Sequence, residues 1–316
     1  NRLGNAVTVF ERADRPGGLL MYGIPNMKLS KALVMNRIHI MEEEGVRFTM
    51  DTEVGTDYPI LTLMRDFDAV ILCAGATNER TLRTPGSDLF GVSTALNFLT
   101  QSTKNLLDGS VIEGLPSVDG KNVIVVGGGD TGTDCVATSI RRGAKHVAQL
   151  EIMPCPPEER ASDNPWPLWP KVRKTDYGQL EAIDLFGADP REYQTTVKEI
   201  VGDERKVVGV KTVRVDWVSE NGRPVPKEIP GTETLRPADI VLTAMGFTGP
   251  ERTLIDQLDL KTDARGNVLS EAGGHKTSLM TVFAAGDMRR GPSLVVWAIT
   301  EGRRAADQCH EYLMKR

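Results

Sequence analysis

The chain has 316 residues, of which 40% are hydrophobic, and a formal net charge of −5 at pH 7. This length is sufficient for two hydrophobic cores, and the acidic balance, without a basic cluster among aromatic residues, predicts no nucleic-acid partner. No stretch approaches the roughly 18 to 20 apolar residues that span a membrane, and no secretory signal is present. We therefore expect a cytoplasmic protein, or a plastid protein if the source is a plant.

The four cysteines are far apart in the sequence and form no Cys-x-x-Cys pair. They are Cys73, Cys135, Cys155 and Cys309. This spacing argues against a disulfide scaffold, a zinc site, a dithiol redox centre and an iron–sulfur cluster held by this chain alone.

The first predicted element is a short strand over residues 7–10, which ends at Glu11 and precedes the glycine turn Arg15-Pro-Gly-Gly-Leu19. A strand that ends in Glu before a glycine turn is typical of the second strand of a Rossmann-type unit. The glycine loop of that unit would then lie upstream of residue 1. We expect the chain to be a fragment of a longer polypeptide, without the first strand and glycine loop of this unit.

Helix and strand patterns continue as far as a turn-rich segment at residues 109–120, where we predict the first domain boundary. An amphipathic helix is predicted over residues 28–44, with Leu33, Ile38 and Met41 near one face and Gly45 as a C-terminal cap. The elements predicted next are a strand over 46–50, a helical turn over 57–65, a buried strand over 68–75 and a helix over 93–104.

The most informative segment is a glycine fingerprint in mid-chain. An apolar run over residues 123–126 leads into Gly127, Gly129 and Gly132, and a helical pattern follows, which is the context that G-x-G-x-x-G requires. The glycines permit a tight turn, the approach of a pyrophosphate and close helix–strand packing, and the helix N-terminus offers N–H groups to phosphate. The predicted dinucleotide loop comprises Gly127, Gly128, Gly129, Asp130, Thr131 and Gly132. A purely structural glycine-rich turn is the alternative.

The end of the next predicted strand, over residues 146–152, bears on the choice of dinucleotide. Glu151 lies 19 positions after Gly132, where a Rossmann fold places the acid that binds the adenosine ribose hydroxyls. A 2′-phosphate would be repelled there, and the first downstream cation, Arg160, lies beyond a proline-rich break. We therefore predict NADH rather than NADPH. The alternative is that Glu151 is a solvated strand end and that another loop selects the cofactor.

Residues 153–190 form a proline-rich excursion that includes the run Asn164-Pro-Trp-Pro-Leu-Trp-Pro170. The prolines argue against a regular helix or a central strand. If Trp166 and Trp169 were exposed, they would indicate a contact surface. The interpretation favoured by the sequence is a loop folded over its own domain, with the two indoles as a local core.

The chain then alternates with a period of two before it returns to buried strands. Segments at 197–201, 206–218 and near Lys227 predict an antiparallel meander, with turns at Gly202-Asp203 and Asn221-Gly222. The remaining predicted elements are a buried strand over 239–246, a turn at 266–267, a strand over 281–287 and a helix over 293–314.

Several separated motifs occur together in one order. They are Glu11 with Arg15-Pro-Gly-Gly-Leu19, Tyr22-Gly-Ile-Pro25, Cys73-Ala-Gly-Ala76, the 127–132 loop, Ala244-Met-Gly246 and Ala285-Gly-Asp287. With these motifs the chain resembles the two-dinucleotide-domain flavin oxidoreductases. It is more closely similar to the small (beta) subunits of glutamate synthase, or to the equivalent C-terminal region of the fused NADH-dependent enzymes. The narrower similarity is carried by the segments at 22–25, 164–170 and 289–298.

The resemblance implies an α/β fold with two Rossmann-like dinucleotide-binding domains. The FAD domain would be discontinuous and N-terminally truncated, over residues 1–110 and 266–316. The NAD(P) domain would be inserted between these parts, over residues 111–265, and would carry the excursion and a small antiparallel β meander. The segments at 73–76 and 244–246 would join the two domains.

The resemblance also implies where FAD binds. Glu11 would bind its adenosine ribose, Gly17 and Gly18 would let the backbone pass close to the nucleotide, and Asp287, after Gly286, would accept from the ribityl chain. The other residues implied to line the cofactor sites are Gly75, Gly246, Ser293, Val295, Trp297 and Ala298. The dipole of the last helix, near the electron-rich edge of the flavin, would favour its reduced, anionic form.

The implied activity is electron input to glutamate synthase. NADH would pass a hydride to FAD, and electrons would leave singly through iron–sulfur clusters to a large (alpha) subunit or domain. That partner would make L-glutamate from 2-oxoglutarate and glutamine-derived ammonia. No residue here would be catalytic, because the hydride passes between cofactors. The histidines are interpreted as structural or solvated: His39, His146, His275 and His310.

Three departures from the family pattern accompany this resemblance. The first FAD glycine loop is absent, and so is the cysteine-rich N-terminal region that helps to hold 4Fe–4S clusters, so this chain would bind no cluster. Residues 151–153 are Glu-Ile-Met, where NADPH-dependent relatives carry arginines. The last departure favours NADH.

Two other hypotheses remain open at this point. A related NAD(P)H-dependent flavin oxidoreductase could feed another acceptor, of the ferredoxin type or like that of dihydropyrimidine dehydrogenase. A truncated fragment without FAD could act only as a structural or docking piece, although the intact fingerprint and the Gly286-Asp287 motif argue against it. A thioredoxin reductase is disfavoured because no Cys-x-x-Cys is present.

Overall fold

The computed structural model describes residues 1–109 and 117–315, and these residues form two compact units. The unit that contains both ends of the chain, here the terminal unit, comprises Asn1–Met21, Ser30–Arg80 and Gly246–Arg316. The other, here the fingerprint unit, comprises Tyr22–Leu29 and Thr81–Met245. Most of the boundary predicted at 109–120 lies outside the described residues, and the domain borders predicted from the sequence stay a prediction.

The elements alternate between strands and helices along much of the described chain. The strands are β1 (Thr8–Phe10), β2 (Arg47–Thr49), β3 (Val70–Leu72), β4 (Asn78–Glu79), β5 (Val92–Thr94), β6 (Asn122–Val126), β7 (His146–Glu151), β8 (Arg191–Tyr193), β9 (Thr195–Asp203), β10 (Lys206–Glu220), β11 (Arg223–Glu228), β12 (Thr234–Pro237), β13 (Ile240–Thr243), β14 (Phe247–Gly249) and β15 (Val282–Ala284). The helices are α1 (Leu19–Tyr22), α2 (Lys31–Glu43), α3 (Ile60–Asp66), α4 (Ala95–Asp108), α5 (Asp130–Arg141), α6 (Tyr177–Phe186), α7 (Thr253–Gln257), α8 (Asp287–Arg290) and α9 (Val295–Met314).

The fingerprint unit is built on a five-stranded parallel sheet in the order β5-β13-β6-β7-β8. Its central strand β6 is a continuous apolar run because the sheet is covered on both faces. Val123 and Val125 pack with the helices α4, α5 and α6. Ile124 and Val126 point to the opposite face, where they pack with the meander strands β9 and β10. The glycine loop follows β6 directly and therefore lies at the carboxyl end of the central strand.

The meander is antiparallel, as predicted, and β10 is its longest strand, with β9, β11 and β12 paired to it. The turn at Asn221-Gly222 is confirmed, with φ of +52° and +74°. The turn predicted at Gly202-Asp203 is wrong by two positions, because Glu204 and Arg205 adopt the positive φ angles instead. Gly202 belongs to β9, where a Cβ would collide with Leu89.

The described residues of the terminal unit form three two-stranded pairings: β1 with β2 and β3 with β15 are parallel, and β4 with β14 is antiparallel. The long helix α9 buries Glu301, Ala305 and Cys309, which recur every four residues along one face. None of the helices within residues 1–109 and 117–315 combines the length and apolar character that crossing a membrane requires.

Several sequence predictions are corrected by the structure. Helix α2 buries Val34 and Ile38, whereas Leu33, predicted on the buried face, is 65% exposed. The excursion predicted to contain no regular helix includes α6, because no proline lies between Pro170 and Pro190 and Asp176 provides an N-terminal capping box. The short strands β5, β8 and β12 were not predicted.

The two indoles of the excursion do not form the local core that the sequence favoured. Trp166 is 82% exposed and Trp169 is 70% exposed. Polar contacts organise this loop instead, and the indoles point to solvent.

Candidate functional site

The glycine fingerprint forms the turn between β6 and α5. Gly127 has a φ of +129°, and a Cβ on it would collide with the carbonyl oxygen of Ala244. Gly132 lies so close to the Gly127 carbonyl that a Cβ there would collide with it. Gly129, in contrast, is exposed and has no atom within 4 Å of its Cβ position. The loop therefore combines two tightly packed glycines with one that borders open space.

The exposed side of this loop leads directly into a helix of 12 residues. Gly129 is the N-cap residue, and Asp130 and Thr131 are the first two residues of α5. The first turn of an α-helix has N–H groups without partners inside the helix, and its end carries partial positive charge. The open space beside Gly129 is thus next to a helix N-terminus that suits a phosphate group.

Glu151 ends β7, the neighbour of β6, and its carboxylate lies against the glycine loop. A Cβ on Gly128 would collide with the Glu151 carboxylate. Oε1 of Glu151 accepts the backbone N–H of Met153 at 2.7 Å, which orients the side chain. The acid and the loop are therefore adjacent, as the Rossmann interpretation of the sequence requires.

The segment after Glu151 is held by the meander. The Trp217 indole donates to the carbonyl oxygen of Ile152 at 2.9 Å, and the Gln194 N–H donates to that of Met153 at 3.1 Å. Gln194 itself has a φ of +51°, an uncommon conformation for a residue with a side chain. These contacts fix the end of β7 and with it the position of Glu151.

Two cations that follow Glu151 in the sequence are engaged in contacts of their own. Arg160 donates to the carbonyl oxygens of Asn164 and Leu168, at 3.1 and 2.9 Å. Arg191 is paired with Asp189 at 2.7 Å. Burial by itself raises the pKa of Asp189, but the hydrogen bonds from Arg191 and then Arg173 outweigh it and lower the pKa to about 2. Asp189 therefore stays charged at neutral pH and holds Arg191.

A buried amide network, which was not predicted from the sequence, supports the loop through the carbonyl oxygen of Gly127. Gln149, fully buried on β7, donates to the Gly127 carbonyl at 3.0 Å. Gln179 of α6 donates to the Gln149 side-chain oxygen and to the Thr133 hydroxyl, both at 2.9 Å. The spacing Asp176-x-x-Gln179, a capping-box pattern, was the signal that could have identified Gln179. A glutamine inside the apolar run of β7 was the signal for Gln149.

A second polar cluster joins α5 to the start of α6. Asp134 accepts the Tyr177 hydroxyl at 2.5 Å and the Lys28 ammonium at 3.0 Å. Burial raises the pKa of Asp134, and burial together with the hydrogen bond to Asp134 raises the pKa of Tyr177. The cluster ties the 22–29 segment to the helix that follows the glycine loop.

In the terminal unit, the Gly286-Asp287 motif is held by a buried acid that the sequence analysis did not identify. Glu301 of α9 is 2% exposed and accepts the Gly286 N–H at 3.0 Å. The same carboxylate accepts hydrogen bonds from the guanidinium groups of Arg289, at 2.6 Å, and Arg290, at 3.0 Å. Gly286 needs its glycine because its φ is +68° and its ψ is −150°.

Asp287 and the start of α9 lie beside this motif. The Ser293 hydroxyl donates to Asp287 at 2.9 Å, and burial raises the pKa of Asp287 more than this hydrogen bond lowers it. Val295 and Trp297 are exposed on the first turn of α9, and Arg290 lies 4.4 Å from the Trp297 ring centroid. Ala298 faces Gly286, where a Cβ would come within 3.6 Å.

The remaining predicted cofactor residues of the terminal unit lie outside its helices and strands. Glu11 follows β1, and its carboxylate accepts the Ala13 N–H at 3.0 Å. Gly17 has a φ of +120° and packs near Val34, and Gly18 has a φ of +53°. No atom lies within 4 Å of the Cβ positions of three of these glycines: Gly18, Gly75 and Gly246.

These residues fit the parts of FAD that the resemblance assigns to them. Open space beside the three glycines admits close approach of a ligand to the backbone. Asp287 offers an acceptor at the start of α8, and the first turn of α9 offers an exposed apolar surface. Within the described residues, no group of three or more His, Cys, Asp or Glu is arranged to hold a metal ion. Buried His275 bonds the Ala284 carbonyl oxygen at 3.1 Å.

The chain belongs to the pyridine nucleotide-disulphide oxidoreductase family, whose sequence profile matches residues 2–302. This family defines a flavoprotein oxidoreductase class, in agreement with the two dinucleotide motifs. The fold agrees as well: the structure of Mycobacterium tuberculosis FprA in complex with NADPH matches with a TM-score of 0.70 and 20% identity, over 98% of this chain and 78% of that one.

Among curated proteins, the chain is homologous to glutamate synthases. It is 47% identical to the NADH glutamate synthase of Schizosaccharomyces pombe, over 97% of this chain and 15% of that protein. It is 46% identical to the NADPH glutamate synthase small chain of Bacillus subtilis, over 99% of this chain and 64% of that protein. The chain thus spans less than two thirds of either relative. The predicted resemblance to glutamate synthase is confirmed.

Proposed function

We propose that this chain is the electron-input part of a glutamate synthase, in which NADH delivers a hydride to FAD. The observation that carries the proposal is the glycine loop with Glu151 lying against Gly128, in a chain homologous to glutamate synthases. The electrons then pass through iron–sulfur clusters to a large subunit or domain, which makes L-glutamate from 2-oxoglutarate and glutamine-derived ammonia. The clusters are held outside these residues.

The residues of the fingerprint unit bind and orient NADH. The N–H groups at the start of α5 bind the pyrophosphate in the open space beside Gly129, and Glu151 accepts the adenosine ribose hydroxyls. Gln149 holds the Gly127 carbonyl and so keeps the loop in the shape that admits the phosphates. Because the hydride passes between cofactors, the protein supplies position and electrostatics rather than an acid or base.

The residues of the terminal unit hold FAD. Glu11 accepts hydrogen bonds from the hydroxyls of its adenosine ribose, and Gly17 and Gly18 let the backbone approach the nucleotide. Asp287 accepts a hydrogen bond from its ribityl chain. When bound, FAD supplies the chemistry that converts a two-electron hydride into single electrons. Glu301 keeps the Gly286 N–H and two arginines in place beside this site.

The preference for NADH rests on charge at the end of β7. Glu151 presents a carboxylate where NADPH would place its 2′-phosphate, and the two would repel each other. Arg160 and Arg191, which could otherwise neutralise a phosphate there, are bonded to carbonyl oxygens and to Asp189. The two relatives divide between NADH and NADPH by name, so the preference depends on these contacts.

The test is an anaerobic visible spectrum of the purified chain supplied with FAD, titrated with NADH and in parallel with NADPH. We expect the flavin band to bleach with NADH at much lower concentration than with NADPH. The Glu151→Ala variant should lose this preference, and Glu159→Ala, which removes an exposed acid of the next loop, should keep it. Equal bleaching by both nucleotides in the unsubstituted chain would contradict the NADH preference.

Flavin retention separates the remaining hypotheses. If the chain retains FAD and NADH bleaches it, the docking-piece hypothesis is wrong. If no flavin is retained, FAD binding requires the longer polypeptide, and the input function belongs to that polypeptide. A parent enzyme that reduces a ferredoxin-type acceptor, and makes no glutamate from 2-oxoglutarate and glutamine, would support the other flavin oxidoreductases instead.

A further inference from the structure

The loop of residues 164–170, here the tryptophan loop, exposes two large indoles in the fingerprint unit. Trp166 and Trp169 are mostly exposed, and Leu168 between them is about half exposed. Asn164 at the start of the loop is only 3% exposed. The arrangement is the reverse of an ordinary surface loop, since the polar side chain is inside and the apolar ones are outside.

Hydrogen bonds hold the loop in one shape without help from the indoles. The Asn164 side chain donates to the Trp169 carbonyl oxygen at 3.0 Å and accepts the Lys171 N–H at 2.8 Å. Arg160 bonds the carbonyl oxygens of Asn164 and Leu168, at the two ends of the turn. The Lys174 ammonium lies 4.5 Å from the centroid of the Trp169 ring and orients it.

Such a surface suits an interface anchor. Rigid aromatic side chains bury a large area at a low cost in conformational entropy, and tryptophan is enriched among the residues that dominate binding energy. The charged residues Asp163, Lys171 and Lys174, which flank the loop in the sequence, are exposed, and Lys174 lies over the Trp169 ring. An apolar centre with a polar rim is the usual anatomy of an interface between proteins.

We propose that the tryptophan loop docks on the synthase part of glutamate synthase, the polypeptide that makes glutamate. The inference rests on the proposed function. The polypeptide that covers the tryptophan loop is inferred from the relatives. The matched region is 15% of the fission-yeast protein, so most of that polypeptide lies outside the matched region. The Bacillus subtilis relative is a small chain. A partner polypeptide is therefore part of the same enzyme, and the tryptophan loop is the most exposed preformed aromatic surface in the described residues.

The first experiment locates the occupant in the full-length enzyme. Trp166 is replaced by the photo-crosslinking residue p-benzoyl-phenylalanine, and cross-linked peptides are identified by mass spectrometry after irradiation. We expect peptides of the synthase part. Leu61, an apolar residue of α3 in the terminal unit that is 73% exposed, is the matched control position. Cross-links only to a second copy of this region, or only to its own residues, would overturn the proposal.

The second experiment measures the strength of the contact. This chain and the synthase part of the same source are produced separately, and their dissociation constant is measured by sedimentation. We expect Trp166→Ala and Trp169→Ala each to raise it about tenfold or more. Asn164→Ala should weaken binding with both indoles present, because the loop loses its shape. Leu61→Ala should have no effect.

NADH affinity, measured by calorimetry on the same variants, separates this proposal from the proposed function. We expect it to be unchanged by the tryptophan substitutions, because both side chains are exposed and outside the nucleotide loop. Loss of NADH binding by the unsubstituted chain would contradict the proposed function. Association of the double variant Trp166→Ala/Trp169→Ala at full strength, with NADH binding intact, would contradict the docking surface alone.

Discussion

The Glu151 carboxylate lies directly against Gly128, so that one methyl group on this glycine would collide with it. The contact joins the end of β7 to the loop after β6. It gives a role to a position that the G-x-G-x-x-G pattern leaves unspecified. The acid and the loop that we propose to bind the nucleotide are therefore parts of one packed unit.

Gly128→Ala should weaken NADH binding by at least about tenfold, or about 1.4 kcal/mol. The added methyl group displaces the Glu151 carboxylate from the ribose position, and overpacking of this kind also lowers the free energy of unfolding by about 1–3 kcal/mol. Calorimetric titration with NADH and urea denaturation measure the two effects.

Gly129→Ala is the matched comparison for that variant. Its methyl group enters open space, so the free energy of unfolding should fall by less than about 1 kcal/mol, the cost of a poorer N-cap. NADH binding should still weaken, because the methyl group occupies the approach of the pyrophosphate. Unchanged NADH affinity in this variant would contradict the phosphate site.

Glu151→Ala should reduce NADH affinity by about 10- to 100-fold, since a hydrogen bond to a charged group contributes about 1.5–3 kcal/mol. The same substitution removes the repulsion of a 2′-phosphate, so NADPH affinity should stay constant or rise. The ratio of the two dissociation constants is the readout. A variant that loses both nucleotides equally would indicate that Glu151 supports the loop and does not select the cofactor.

Gln179→Leu should lower the free energy of unfolding by about 1–3 kcal/mol, because the buried Gln149 oxygen and Thr133 hydroxyl lose their donor. Leucine is similar in size, so the loss reports hydrogen bonding more than volume. The exposed neighbour substitution Leu180→Ala on the same helix should change stability by less than about 0.5 kcal/mol. If Gln179→Leu and the unsubstituted chain had the same free energy of unfolding in urea, the network would not support the loop.

Glu301→Gln should lower stability at pH 7 by about 1–3 kcal/mol, because two partly exposed arginines lose their charged partner. Burial alone raises the pKa of Glu301, but the hydrogen bonds from Arg289, the Gly286 N–H and Arg290 outweigh it and hold the pKa below its ordinary value. A carboxylate with a lowered folded-state pKa stabilises the fold above the unfolded value and loses that contribution as pH falls.

The pH dependence is therefore the diagnostic for Glu301. As pH falls from 7 through the ordinary pKa of a glutamate, the unsubstituted chain should lose more stability than Glu301→Gln, which has no proton to gain there. Glu311→Gln, at an exposed position of the same helix, should follow the unsubstituted chain. Parallel curves for Glu301→Gln and the unsubstituted chain would refute the assignment.

Local sequence pattern determined much of this protein. The apolar run before Gly127 dictated a strand buried on both faces, and the glycines after it dictated a turn into a helix. Asn221-Gly222 similarly specified a two-residue hairpin, because only such residues accept positive φ at low cost. These features depend on neighbours a few positions apart, so they can be derived without knowledge of the fold.

Tertiary structure decided what lies against each of these motifs. The contact of Glu151 with Gly128, the support of Gly127 by Gln149 and Gln179, and the hold of Glu301 on Gly286 all join residues far apart in the chain. The sequence could not reveal that Trp166 and Trp169 point to solvent either, since an indole suits a core and an interface equally well. The burial of a side chain and its hydrogen-bond partners depend on chain segments that come into contact only when the sheet and helices have packed. A local sequence pattern contains no information about those contacts.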